Sequence, residues 1–321
     1  MIRASVVVPT YRRPDLLGRC LAALAAQDFD PAEFEVIVAD DAPSPATRRQ
    51  VAEFARGAAM TVRYFAPTGR HGPAAARNAG WRAAVGRVIA FTDDDCVPDR
   101  EWLAAGLSAL SDGLDAAAGR VIVPLPADPT DYERDAAGLE SAEFVTANLF
   151  CRREALEAVG GFDERFSIAW REDSDLQFAL LRAGHRIGRA RGAVVVHPVR
   201  PAPWGVSLWQ QRKSLFDALL YKKWPDLYRR RIRSGPPWNY YATVASLGLA
   251  AAALSLGHFP LALAAVGGWS ILTARFCARR LRRTSHAPGH VAEMVATSAL
   301  IPPLSVFWRL YGAWKFRVPF A

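Results

Sequence analysis

The residues with most chemistry to offer in this chain are acidic and grouped: Asp40-Asp41, Asp93-Asp94-Asp95 and Glu172-Asp173-Ser174-Asp175, with His197 further on. Three adjacent carboxylates repel one another, and burying them unpaired carries a large desolvation cost, so a cation must face them. One answer is a divalent ion that takes one or two carboxylates and completes its shell with substrate phosphates. The other is a solvated acidic turn, since Asp-rich turns are common. Ser, Cys and His show no triad-like grouping, so a covalent enzyme intermediate is not indicated. The cysteines Cys20, Cys96, Cys151 and Cys277 form no CxxC pair. That argues against a zinc site or a disulfide framework and favours a reducing compartment.

The elements that must hold these groups choose between the two readings of the aspartate trio. Val88-Ile89-Ala90-Phe91 reads as a short buried strand ending at Asp93-Asp94-Asp95. Ser5-Val6-Val7-Val8-Pro9 is another, broken by Pro9 and the turn Thr10-Tyr11-Arg12-Arg13-Pro14. Asp15 is positioned to cap a helix carrying Leu16, Leu17, Leu21 and Leu24 at helical spacing. Phe34 to Ala39 is a strand ending at Asp40-Asp41, followed by a helix near 46–55, a strand near 61–65 and a helix near 74–85. Strict alternation of strand and helix predicts a largely parallel, doubly wound sheet, with ligands at the carboxyl ends of its strands. Pro9-Thr10-Tyr11-Arg12, Asp40-Asp41 and the aspartate trio all fall at such ends. That convergence makes the acidic stretch a site.

Six segments, in this order, resemble family 2 glycosyltransferases with the GT-A fold. They are Val6 to Arg12, Val38 to Pro43, Ala76-Arg77-Asn78-Ala79-Gly80, Phe91 to Asp95, Gly160-Gly161-Phe162-Asp163-Glu164 and Arg171 to Leu176. The resemblance covers about residues 1 to 200; Ala42-Pro43 departs from the family's usual Gly-Ser. It implies a Rossmann-like, doubly wound mixed sheet and a nucleotide-diphosphate sugar as donor; the C-terminal membrane helices expected after that sheet rest on the chain's later apolar runs.

On this resemblance Pro9, Tyr11 and Asp41 line a uracil-type pocket, Tyr11 offering a flat face and Asp41 an acceptor for the base's imino hydrogen, and Thr10 and Arg12 belong to the donor-binding set. Arg77 reaches the base or the phosphates and Asn78 anchors its turn. Asp93 lies near the ribose and with Asp95 serves a Mg²⁺ or Mn²⁺ ion that stabilises the leaving diphosphate. Asp94 is counted among the donor-binding residues, the alternative being that it points away and serves the fold. Glu172 and Asp173 match the family's Glu-Asp pair, with Asp173 as the base that takes the acceptor's proton in a single inverting displacement. The structural alternative is N-capping of the helix that carries Leu176, Leu180 and Leu181, by Asp173 or Asp175. His197 ends the run Ala193-Val194-Val195-Val196 and is either a further metal ligand or a structural histidine. Asn148 and Trp170 are candidates to face the acceptor.

Apolar residues make up 51% of the chain and charged ones 22%, with a net charge of +9, so it is globular or membrane-associated and not disordered. Its N-terminus runs straight into a strand without a signal peptide. From Trp204 to Tyr228 aromatic and basic residues alternate, which suits a membrane interface or single-stranded nucleic acid. The next stretches favour the membrane. Residues 238–256 and 259–277 are nearly uncharged and about long enough to cross a bilayer core. Arg229, Arg230, Arg231 and Arg233 precede them, and Arg279, Arg280, Arg282 and Arg283 follow. The positive-inside rule then gives a helical hairpin with both outer ends cytoplasmic; a buried soluble hairpin is the alternative. A third apolar segment, 291–310, contains Pro302-Pro303 and reads equally as a kinked span or an interfacial helix.

The expected organisation is a glycosyltransferase domain over 1–200, a basic and aromatic linker over 201–237 and membrane-associated helices over 238–321. Processive relatives carry a Gln-x-x-Arg-Trp motif before a membrane helix. The corresponding Trp209-Gln210-Gln211-Arg212-Lys213 lacks its ending, which implies transfer of a single sugar and not polymer synthesis. With the membrane reading, the expected acceptor is a lipid or lipid-linked glycan. Two rivals stand: a nucleotidyltransferase that makes the sugar nucleotide, although the Gly-rich signature it needs after the first strand is missing, and a non-catalytic membrane scaffold that binds nucleotide sugars.

Overall fold

In the computed structural model, which describes residues 1–320, Asp40-Asp41 and Asp93-Asp94-Asp95 sit at the ends of strands buried along most of their length, and Glu172-Asp173-Ser174-Asp175 opens a helix. The chain forms two units. Met1–Pro124 and Ala137–Val199 make the first; Leu125–Ala136 and Arg200–Ala321 make the second.

The first unit begins β1 (Ala4–Thr10), α1 (Pro14–Ala25), β2 (Phe34–Asp40), α2 (Pro45–Gly57), β3 (Thr61–Phe65), α3 (Pro73–Ala83) and β4 (Val88–Thr92). It continues with β5 (Val97–Pro98), α4 (Trp102–Ser111) and β6 (Ala116–Ile122). After α5 (Asp131–Ala136), which belongs to the other unit, come β7 (Asn148–Arg152), α6 (Arg153–Val159), α7 (Glu172–Arg182) and β8 (Ile187–Val196). All eight strands form one mixed sheet in the order β3-β2-β1-β4-β7-β6-β8-β5.

β1 pairs in parallel with β2 and β4, and β2 with β3. β7 runs antiparallel to β4 and to β6, and β5 antiparallel to β8. The alternation of strands and helices anticipates the parallel half. It cannot orient β7, which follows a stretch without strand rhythm. Val6, Val7, Val8, Val36, Ile37 and Val38 have no exposed surface, as expected of strands covered on both faces. Helix α3 lies so close to β1 that a Cβ at Gly80 would collide with the Val7 side chain. Asp15 lies in the first turn of α1 rather than at its cap, which is Arg13 without a side-chain bond.

In the second unit α8 (Val206–Gln210), α9 (Ser214–Lys223), α10 (Pro225–Arg231), α11 (Trp238–Ser255), α12 (Phe259–Arg280) and α13 (Pro288–Phe316) follow in order. α11 and α12 form an antiparallel pair, with the Tyr240 and Phe276 rings 5.4 Å apart at its open end. Its turn is closed by Gly257 in the left-handed region, with His258 N–H donating to Ala253 O at 2.8 Å. Ala250, Ala253, Ala262 and Ala265 are buried, whereas Leu249, Leu254, Leu261 and Leu263 are exposed. Helices packed through small residues with large apolar ones outside are the arrangement that lipid favours. Among the described residues two helices, α12 and α13, are long and apolar enough to cross a membrane; α11, which opens with Trp238-Asn239-Tyr240-Tyr241, is not among them. α13 runs unbroken through Pro302 and Pro303. The segment carrying α5 is pinned to these helices by the Asp131–Arg280 ion pair at 2.7 Å and by Ser285 Oγ donating to Asp128 at 2.6 Å.

Candidate active site

β1 and β4 are neighbours whose connections leave in opposite directions across the sheet, since β2 lies on one side and β7 on the other. Such a switch point opens a crevice beyond the carboxyl ends of the strands, and there Thr10 meets the aspartate trio. Asp94 turns inward: it is buried and accepts from Thr10 Oγ1 at 2.8 Å and Arg13 Nη1 at 3.0 Å. Burial, together with Asp95 and Asp93, raises its pKa despite Arg13 and Thr10. Thr10 and Asp94, both expected on the donor, therefore bind each other and join the two strands. Arg13, which the motif reading passed over, faces Asp94 and lies 3.9 Å from Asp95. Its only sequence signal is its place in the loop after β1.

Asp93 and Asp95 take the other directions. Asp93 is held by Arg77 Nη2 at 2.8 Å. Burial pushes its pKa up, but Arg77, His197 and Arg13 outweigh that and keep it below the usual carboxylate range. Asp95 Oδ1 lies 3.4 Å from His197 Nε2. His197 is fixed at the end of β8, where its N–H donates to Ile122 O at 2.8 Å.

A carboxylate oxygen and an imidazole nitrogen this close make a donor pair for a divalent ion. Cys96 Sγ is within the same group, all of it inside 4.8 Å. That thiol is buried beside Asp93 and Asp95; burial first and those carboxylates next drive its pKa well up, and it donates to Ala147 O at 3.8 Å. The remaining oxygen–nitrogen pair fits a Mn²⁺-type ion, and with so few protein donors it leaves positions for phosphate oxygens.

Arg77 departs from expectation. Its guanidinium is buried and bridges Asp93 to Glu172 Oε1, the latter at 3.1 Å, while lying over the Phe162 ring. It is occupied inside the protein by carboxylates from two motifs and is not extended toward a base. Asn78 is likewise spent: it donates to Phe162 O and Glu164 Oε1, both at 2.8 Å, and accepts from Trp81 Nε1 and Phe162 N–H. It anchors the Gly160–Glu164 loop to α3.

α7 starts at Glu172. Its N-cap is Arg171 in the left-handed region, which makes no side-chain capping bond, so neither Asp173 nor Asp175 is the cap. Glu172 is buried, and burial and Asp173 push its pKa up to about 7 against the pull of Arg77. Its Oε2 has no hydrogen-bond partner, which suits a proton-holding acid. Burial also raises the pKa of Asp173, whose Oδ1 accepts from Ser174 N–H at 2.6 Å. A partly exposed carboxylate with a raised pKa is suited to take a proton.

At the base-binding end Tyr11 is 48% exposed, with the Arg12 guanidinium 5.4 Å from its ring centre. Pro9 is the partly exposed residue of β1. Asp41 follows β2; its N–H donates to Thr10 O at 2.9 Å and its Oδ1 accepts from Gly72 N–H at 2.7 Å. Gly72 has φ +116° and a Cβ there would lie 2.8 Å from Ser167 O, so only glycine fits. His71 Nδ1 is 3.5 Å from Asp41 Oδ1. Arg70-His71-Gly72 lies between the strand expected near 61–65 and the helix expected near 74–85, and nothing in its spacing ties it to Asp41. Asn148 is fully buried, accepts from Trp102 Nε1 at 2.9 Å and donates to Arg120 O and Ala193 O. Its amide is consumed in clasping β7 to its neighbours, which corrects the acceptor expectation. Trp170 stands before α7 with the Arg171 guanidinium 4.5 Å from its ring centre.

Comparison with known proteins agrees with this geometry. The "Glycosyl transferase family 2" model matches residues 5–163 and the "Glycosyl transferase family group 2" model residues 132–310. The chain belongs to glycosyl transferase family 2 and is a glycosyltransferase. It is similar to glycosyltransferase AglE of Haloferax volcanii, 28% identical over 61% of this chain and 67% of that protein. It also resembles a pre-mycofactocin glycosyltransferase of Mycobacterium tuberculosis, 29% identical over 72% of this chain; the chain matches 50% of that relative's length. Among solved structures, a mannosyltransferase of Pyrobaculum calidifontis in complex with GDP-Man and Mn²⁺ shares the fold at TM-score 0.60 and 22% identity. The match covers 96% of this chain and 87% of that one. TarS of S. aureus in complex with UDP-GlcNAc shares it at TM-score 0.53 and 18% identity, over 99% and 93%.

Proposed function

We propose that this glycosyltransferase moves one sugar from a nucleotide-diphosphate donor, UDP-linked, to a hydroxyl of a lipid or lipid-linked glycan at the cytoplasmic face of a membrane, using Mn²⁺ or Mg²⁺. The observation that carries the reading is the Asp95–His197 pair, 3.4 Å apart, at the switch-point crevice. Asp95 and His197, with Asp93 beside them, would hold the ion. Bound there, it would supply positive charge to the diphosphate as that group leaves. An imidazole in the set favours Mn²⁺ over Mg²⁺, which prefers oxygen alone.

The chain's own residues do the rest. Tyr11 and Pro9 flank the base, and Asp41 accepts its imino hydrogen through the oxygen that Gly72 leaves free. Asp173 takes the proton of the acceptor hydroxyl as that oxygen bonds to the anomeric carbon. The bond to the diphosphate oxygen breaks on the opposite side, so configuration inverts. Glu172 and Arg77 hold the start of α7 in place, and Trp170 flanks the acceptor.

Support for a lipid-linked acceptor comes from a Campylobacter jejuni relative described as a GalNAc(5)-diNAcBac-PP-undecaprenol beta-1,3-glucosyltransferase, 32% identical over 34% of this chain. Support for a membrane site comes from the apolar helices of the second unit. The test is transfer from labelled UDP- and GDP-sugars to extracted lipids with Mn²⁺, wild type against Asp173→Asn. Labelled lipid formed by the wild type alone supports the reading; equal transfer by both contradicts it. Pyrophosphate release from a nucleoside triphosphate would favour the nucleotidyltransferase instead.

A further inference from the structure

α13 buries polar residues and leaves large apolar ones outside. Its buried face sets His290, Thr297, Ser298, Ser305 and Arg309 among Met294, Ile301 and Val306, while Val295, Leu300, Phe307, Leu310, Tyr311 and Trp314 are exposed. Water would favour the reverse, so the exposed face is made for an apolar medium. Composition leaves open whether such a helix crosses a bilayer or lies along it.

The anchoring of its two ends decides. At the first end Arg280 Nη1 donates to Thr297 Oγ1 at 2.6 Å and to Ser298 Oγ at 3.2 Å, tying α13 to the last turn of α12. That turn runs on into exposed Arg282 and Arg283. At the other end a Cβ on Gly312 would lie 2.7 Å from Leu215 O of α9, and Lys222 Nζ donates to Phe316 O at 2.7 Å. From Lys222 and Lys223 the chain passes through Arg229, Arg230 and Arg231 of α10 and reaches α11 after residues 232–237. A tether of that length spans roughly 20 Å fully extended, short of the ~30 Å hydrocarbon core. The basic helices around the far end of α13 therefore stay at the level where α11 begins. α11 begins beside the end of α12, as the Tyr240–Phe276 contact shows. Both ends of α13 thus belong to the basic, open end of the hairpin, whereas residues 239–274 contain no Asp, Glu, Lys or Arg.

We propose that α13 lies along one leaflet of the bilayer, its Leu300, Phe307 and Trp314 face in the acyl chains and its polar face turned to α9 and α12, without crossing. The proposal rests on the membrane reading above. Its occupant is lipid with anionic headgroups, which the surrounding arginines and lysines complement.

The test uses the full-length chain in sealed membrane vesicles of one orientation, with single cysteines introduced as Gly289→Cys, Lys315→Cys and His258→Cys. The native cysteines are buried, and each replaced residue is exposed. A membrane-impermeant maleimide should label positions 289 and 315 from the same side. Labelling of 289 and 315 from opposite sides overturns the in-plane placement while leaving the membrane reading intact. Position 258 reports whether the hairpin tip emerges across the bilayer. A carbonate wash separates the two failures: release of the chain into solution, with or without dimer formation through this face, overturns the membrane reading and the proposal together.

Discussion

Cys96 is brought opposite His197 by the antiparallel register of β5 and β8, in which Val97 pairs with Val196. A two-residue strand directly after the aspartate trio thus delivers a histidine from the end of the sheet to Asp95. The site depends on that short pairing as much as on the acidic motif itself.

Replacing His197 with Ala should leave the fold intact and raise the Mn²⁺ concentration needed for half-maximal transfer by at least about tenfold, since even outer-shell losses cost that much. A Mn²⁺ titration of initial rates checks it. An unchanged requirement would make His197 structural.

Asp173→Asn should lower kcat by about 10²- to 10⁴-fold, the span of general-base contributions, with nucleotide binding little altered. Kinetics and calorimetry on the same variant separate the two quantities. Loss of nucleotide affinity without loss of kcat would move Asp173 out of the base role.

Arg77→Met should destabilise the first unit by about 3–5 kcal/mol, because it strands the partly buried Asp93 and the buried Glu172 without their shared cation. Thermal unfolding checks it. Gly80→Ala in the same helix should cost about 1–3 kcal/mol through the clash with Val7, with the donor site otherwise unaltered.

The Glu172 carboxyl titrates at about 7 in the fold against 4.5 when unperturbed. Between those values the folded chain holds a proton that the unfolded chain has released, so stability falls as pH rises through this window and levels off above it. Glu172→Gln should remove this part of the slope. Melting temperature followed against pH for both forms checks it, and identical slopes would contradict the assignment.

Much of the first unit was legible in its sequence. Runs such as Val6-Val7-Val8 ending in polar turns require buried strands, and strands alternating with helices require a parallel sheet, which places the acidic clusters along one edge. What stayed hidden were the tertiary partners. Nothing in the spacing shows that Asp94 is absorbed by Thr10 and Arg13, that Arg77 is shared between two carboxylates, or that Asn148 clasps strands. Those outcomes follow from which side chains the closed sheet brings within reach. The antiparallel β7 was hidden too, because period-two alternation carries no direction. In the second unit the apolar lengths were plain, but the polar groups that α13 buries against its neighbours appear only once those neighbours are known.

The central claim is that Asp95 and His197 hold a cation on which the donor's diphosphate rests. Calorimetric titration of UDP and GDP into the wild type and Asp95→Asn, each in Mn²⁺ and in EDTA, tests it most directly. The account predicts nucleoside diphosphate binding that needs Mn²⁺ in the wild type and is largely lost in Asp95→Asn. Equal affinity in EDTA, undiminished by the substitution, would contradict it.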